Sequence, residues 1–156
     1  MSVGAGHEHG LRPGTENVAY IVGLGRAARL ARLNLSENPA QLRDRRDLLH
    51  GLLCAAIPGL ALNGHPESRL PNTLNLSFPD VSGHGLLEAA AADIAASTGS
   101  ACHADNQAAS GVLGAMGLSA GRAMGAVRLS VGHYTTPADV ERAAAALIEA
   151  WRELQS

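Results

Sequence analysis

Between Val18 and about Leu33 the apolar residues Val18, Ile21, Val22, Leu24, Ala28 and Leu30 cover most of a helical circumference, and Arg26, Arg29 and Arg32 form one polar stripe. This pattern predicts a mostly buried helix starting at Thr15-Glu16-Asn17. Asn38-Pro39 marks a second helix start, with proline in the first turn. There Leu42, Leu49, Leu52, Leu53 and Ala56 share one face, opposite Arg43, Asp44, Arg46 and Asp47, until Pro58-Gly59 ends the run. Strict alternation in Thr73–Phe78 sets Leu74, Leu76 and Phe78 against Thr73, Asn75 and Ser77, as expected of a half-buried strand. A helical period returns from His84 to about Ala96, and Ser110–Met116 reads as a short helix ending at Gly117. Val127, Leu129 and Val131 alternate with Arg128 and Ser130. A last helix follows Thr135-Thr136-Pro137, with Val140, Ala144, Leu147, Ile148, Trp151 and Leu154 in one stripe. The first 15 residues, rich in Gly and His, show no period and read as loop or irregular strand. The sum is an α/β chain of the α+β type, its helices packed on a small, mainly antiparallel sheet.

Composition narrows the function classes. The 156 residues, 46% hydrophobic, suit one domain with a real core. Twelve basic against 14 acidic side chains leave no electrostatic footprint for nucleic acid or an anionic membrane surface, and 3% aromatic content supplies no base-stacking platform. Two cysteines make no disulfide framework. No apolar stretch resembles a signal peptide or a membrane span, so the expected location is cytoplasmic. All 12 basic residues are arginine, and without lysine no Schiff base to a side-chain amine can form on this chain.

Four patterns bear on chemistry. Gly23-Leu24-Gly25-Arg26-Ala27-Ala28 matches a dinucleotide fingerprint, which requires a preceding strand and a second strand ending in an acidic residue. The helical period of Leu42–Ala56 argues against it and leaves a helix with glycines at a close contact. Cys102, in the polar small-residue loop Gly99-Ser100-Ala101-Cys102-His103-Ala104-Asp105, departs from the buried habit of free cysteine, and an exposed, loosely tethered thiolate suits the collection and delivery of a sulfur atom. The bland alternative, an inert loop cysteine, stands beside it, whereas Cys54 belongs to the core face of the second helix. His7-Glu8-His9 with Cys102 and His103 lacks the spacing of a zinc module, so no metal is expected. Arg128, on the polar face of an apolar strand, is placed either to grip a carboxylate in bidentate fashion or to be a solvated arginine.

Read in order, Gly6–Asn17, Arg69-Leu70-Pro71-Asn72-Thr73-Leu74-Asn75, Gly99-Ser100-Ala101-Cys102 and Val127–Thr136 resemble segments of the pyridoxal-phosphate-dependent cysteine desulfurases and selenocysteine lyases of the class V aminotransferase group. The resemblance implies the small carboxyl-terminal domain of a fold-type I pyridoxal enzyme. Residues 1–15 would link from a cofactor-binding large domain, and 16–156 would form the small domain with its catalytic loop at 97–107. It further implies that Cys102 attacks the sulfur or selenium and becomes a persulfide while alanine leaves. Arg128 would hold the substrate carboxylate, and Thr15 would reach the cofactor phosphate of the partner subunit in a homodimer. In the family pyridoxal 5'-phosphate is held by a lysine in the preceding domain. Cysteine or selenocysteine is then the substrate, and a sulfur-acceptor protein the partner. Ala5, His9, His133 and Ala109-Ser110-Gly111 depart from the family pattern. Two other classes remain open: a non-enzymatic persulfide carrier or dimerisation module, and, on Gly23 and Gly25, a dinucleotide-binding domain.

Overall fold

The computed structural model describes residues 6–35, 38–99 and 110–156, and the chain divides into two compact units, Met1–Glu37 and Asn38–Ser156. In the first unit, β1 (Gly6–His7) and β2 (Arg12–Pro13) pair antiparallel around a single 3-10 turn at Glu8–Gly10. Glu8 and His9 hold φ of 55° and 57°, a left-handed backbone that non-glycine residues adopt only under constraint. Helix α1 (Val18–Leu33) follows, with Asn17 accepting from the Tyr20 amide at its amino end. Its boundaries agree with the pattern of the sequence, but its burial does not: none of its residues is buried, and Leu24 is 72% exposed. Nor are Gly23 and Gly25 at a close contact, since a Cβ on either would meet nothing within 4 Å. With continuous helix on both sides of these glycines there is no strand-to-helix turn, and the dinucleotide geometry is absent from α1.

The second unit is built on a three-stranded antiparallel sheet in the order β3-β4-β5, with β3 at Ala61–Leu62, β4 at Thr73–Ser77 and β5 at Ala126–Ser130. Leu74 and Leu76 of β4 and Val127 and Leu129 of β5 face the core, as period-2 alternation demands. Onto that face pack α2 (Asn38–Ala56), α3 (Gly83–Ala89) and α6 (Pro137–Gln155), contributing Leu49, Leu53, Leu86, Val140 and Leu147. Each such side chain, fully withdrawn from water, stabilises the fold by roughly 1.5–3 kcal/mol before entropy is counted. Helix α6 starts from a capping box in which Thr136 and Asp139 satisfy each other's backbone amides. Two short helices, α4 (Gly111–Ala115) and α5 (Ala120–Met124), precede β5. Gly125 joins α5 to β5 where only a bare backbone fits, because a Cβ there would lie 2.2 Å from the Phe78 carbonyl oxygen.

Three expectations are corrected. Helical structure after His84 stops at Ala89 instead of continuing to Ala96, giving way to turns through Asp93. Cys54 is exposed, not core, because the buried stripe of α2 runs through Arg46, Leu49, Leu53 and Ile57, and Cys54 lies one residue off it. Arg46, assigned to the solvent face, is 5% exposed on that same stripe. Its guanidinium donates to the Leu70 carbonyl at 2.8 Å and to Asp47 at 2.8 Å, satisfying the charge that burial would otherwise leave costly.

Candidate active site

The face of the sheet turned away from the main core is polar except at Ala126, which joins Leu113 and Ala123 in a small apolar cluster. Thr73 pairs with Ser130, Asn75 with Arg128 and Ser77 with Ala126 in the β4–β5 register, so these side chains share one surface. Arg128 is exposed between the buried Val127 and Leu129, as the alternation along this strand requires. Its backbone is held on both edges. One edge pairs with β4, and the other forms an isolated bridge to Ser97, with the Arg128 amide donating to Ser97 O at 2.7 Å and the Ser97 amide to Arg128 O at 3.3 Å.

That bridge matters because Ser97 opens the cysteine segment. The Ser97 hydroxyl donates to Gly99 O at 3.0 Å and accepts from the Gly99 amide at 3.2 Å, folding the backbone on itself. Gly99 adopts φ of 141°, in the region that favours glycine. A Cβ at Gly99 would lie 3.8 Å from the Cβ of Ser110, so the described residues flanking 100–109 are neighbours. Cys102 lies outside the described residues, three positions beyond Gly99.

Thr15 belongs to the first unit. It follows Gly14, which bends the chain with a φ of 90° that favours glycine, and Arg12 braces this bend by donating to Gly14 O at 2.7 Å and pairing with Glu16. His7 approaches the same Glu16 carboxylate at 3.9 Å. The family-derived site residues thus fall on three supports: a braced turn for Thr15, an edge strand for Arg128, and a serine-folded stem leading to Cys102. Among the described residues no three His, Cys, Asp or Glu side chains cluster as metal ligands.

A layer of polar residues next to Arg128 in the register was only partly legible in the sequence. Asn63 and Ser77, 7% and 4% exposed, are hydrogen-bonded to each other at 2.7 Å, and Arg122 of α5 donates from Nε to Asn63 Oδ1 at 2.9 Å. The alternation of Asn75 and Ser77 with leucines signals one side of this layer. Nothing in the sequence pattern signals Arg122, since α5 spans only five residues. On the opposite, helical side of the unit, Arg46, Arg69 and Asp47 form a second charged group, in which burial first and Arg46 second hold the Arg69 guanidinium below its ordinary pKa.

Residues 2–143 match the family model for aminotransferase class-V. The chain belongs to that family. It is 44% identical over 145 residues to cysteine desulfurase 2 of Trichormus variabilis, covering 91% of this chain and 36% of the relative. It is 43% identical over 142 residues to the cysteine desulfurase IscS 1 of Archaeoglobus fulgidus, covering 90% of this chain and 37% of that one. The NifS-like protein of Rickettsia africae superposes with a TM-score of 0.77 at 31% identity, over 99% of this chain and 39% of that structure. This class-V chain therefore spans a little over a third of the length of the relatives it matches, and its helices and small antiparallel sheet are those of NifS-like folds.

Proposed function

We propose that this chain is the carboxyl-terminal portion of a cysteine desulfurase-like enzyme, comprising a linking segment at 1–15 and the small domain at 16–156. In the complete reaction cysteine loses its sulfur and leaves as alanine. The Cys102 thiolate attacks that sulfur, the carbon–sulfur bond breaks with its electron pair left on carbon, which takes up a proton to become the methyl group of alanine, and Cys102 becomes a persulfide for transfer to an acceptor protein; selenocysteine would react at selenium in the same way. The observation that carries this reading is the double hydrogen bond between Ser97 and Arg128. It ties Ser97, at the described start of the cysteine segment, to the strand residue proposed to grip the carboxylate, which supports a substrate anchor and a nucleophile that act together.

Arg128 offers a planar fork of donors matched to the two carboxylate oxygens. Thr15, on a turn with Gly14 in a positive-φ conformation, supplies a hydroxyl beside backbone amides, a setting suited to a phosphate, here that of the partner subunit's cofactor in a homodimer. Pyridoxal 5'-phosphate supplies the electron sink of this reaction class. All 12 basic residues here are arginine, so no lysine of this chain can bind the cofactor as an imine, and its residues do not by themselves complete a cofactor site. Among the described residues no helix is long and apolar enough to cross a membrane, and we place the enzyme in the cytoplasm.

The purified chain, given pyridoxal phosphate and L-cysteine, is expected to release no alanine; measurable turnover would overturn the reading. Supplied with a separate active desulfurase and cysteine, it should gain a persulfide on Cys102 and not on the exposed Cys54, as read by mass spectrometry of alkylated peptides. Equal labelling of both thiols would remove the special role of Cys102. The absence of lysine also favours a second reading, in which the chain is a persulfide carrier or dimerisation module. Labelling at Cys102 by the separate desulfurase is what that reading requires as well, and complementation of activity by a lysine-bearing partner polypeptide would decide for the enzyme.

A further inference from the structure

The polar face of the sheet carries a hydrogen-bond chain whose direction is fixed at one end. Arg122 can only donate. Its Nε donates to Asn63 Oδ1 at 2.9 Å and its Nη2 to Leu62 O at 2.7 Å. With its amide oxygen so committed, Asn63 donates from Nδ2 to Ser77 Oγ at 2.7 Å and to Asn75 Oδ1 at 2.8 Å. Asn75 is thereby turned so that its oxygen faces Asn63 and its NH2 is the group left to bond elsewhere. Asn75 stands directly opposite Arg128 in the register, a spacing of about 4.5–5.5 Å between Cβ atoms on one face.

This arrangement commits the Asn75 oxygen to Asn63 and leaves a donor on the residue paired with Arg128. With the amide reversed, its oxygen would compete with any anion for Arg128. We propose that Asn75 is a second donor to the substrate carboxylate, and that Asn63 and Arg122 are positioning residues that hold its amide in the donating orientation. The proposal rests on the assignment of Arg128 to that carboxylate.

The experiment is a titration of the 15N-labelled chain with L-alanine, an unreactive amino acid bearing the same carboxylate, followed by NMR at the Arg128 Nε–H and the Asn75 side-chain NH2. Both signals should shift and saturate with one dissociation constant. Asn75→Asp, which places an acceptor against Arg128, should weaken binding tenfold or more, and Asn75→Leu by several-fold. Arg122→Met should weaken binding several-fold and disturb the Asn75 NH2 signals, and Arg122→Lys, which restores a donor, should recover part of the loss. Shifts at Arg128 alone would overturn the role of Asn75 and leave that of Arg128 intact. No shift at either would overturn the assignment of Arg128 and this proposal with it. The wild-type titration decides even if a variant fails to fold, and unchanged backbone amides of Leu74 and Leu76 identify variants that keep the sheet.

Discussion

Helices α1 and α6 are similar in length and apolar content, yet α6 buries Val140, Ala144, Leu147 and Ala150 whereas α1 buries nothing. The difference lies in how the apolar residues are arranged. In α6 they form one stripe, which specifies a single covering surface, and the sheet with α2 supplies it. In α1 Val18, Tyr20, Ile21, Val22 and Leu24 point in several directions and are 58–78% exposed. An all-round apolar helix implies cover on more than one side without saying what provides it.

The sharpest test of the contrast is Leu147→Ala. Its side chain is fully buried, and its loss should cost about 2–5 kcal/mol in denaturant unfolding of the Asn38–Ser156 unit. Gly125→Ala should cost about 1–3 kcal/mol, because the new methyl must push back the Phe78 carbonyl. Thr136→Ala removes the α6 cap and should cost about 1 kcal/mol by the same measurement. Ile21→Ala on α1 should change that unit's stability by less than about 0.5 kcal/mol; a loss comparable with Leu147→Ala would mean that α1 is covered in solution and would break the comparison. The smallest effect is set by pH. Burial, then the nearby Arg69, hold His50 on α2 below its ordinary pKa of 6.5, with Arg46 adding to this and Asp47 opposing it. Well above pH 6.5 both folded and unfolded chains keep His50 neutral and its effect is nil. As pH falls through 6.5 the unfolded chain takes up the proton first, so stability should decline there and level off once the folded chain is protonated too. His50→Gln should flatten this slope.

Long elements were legible in the sequence and short ones were not. The limits of α1 matched the apolar run, and β4 and β5 lay within one residue of their alternating stretches, because several turns or several alternations average out local noise. Strands of two residues, such as β1, β2 and β3, carry no period at all and exist only through their pairing. The exchange of roles between Arg46 and Cys54 has a different cause: hydropathy assigned each residue by type, whereas helical geometry assigns it by angle, and an arginine long enough to reach the Leu70 carbonyl can occupy a core-facing position. At the candidate site the exposure of Arg128 followed from alternation alone. The Ser97 bridge and the Arg122–Asn63–Asn75 chain join residues 31 and up to 59 positions apart, and no local pattern encodes such pairings.

The Ser97–Arg128 bridge also has a kinetic meaning. It fastens the cysteine stem by two backbone hydrogen bonds on a strand edge with no other strand pairing among the described residues, each worth about 1 kcal/mol net, whereas β4 holds the other edge of β5 through five registered pairs. The stem can therefore peel away while the sheet stays intact, like a latch released without opening the door. Hydrogen exchange should record this as faster loss of protection at the Ser97 amide than at the Val127 and Leu129 amides.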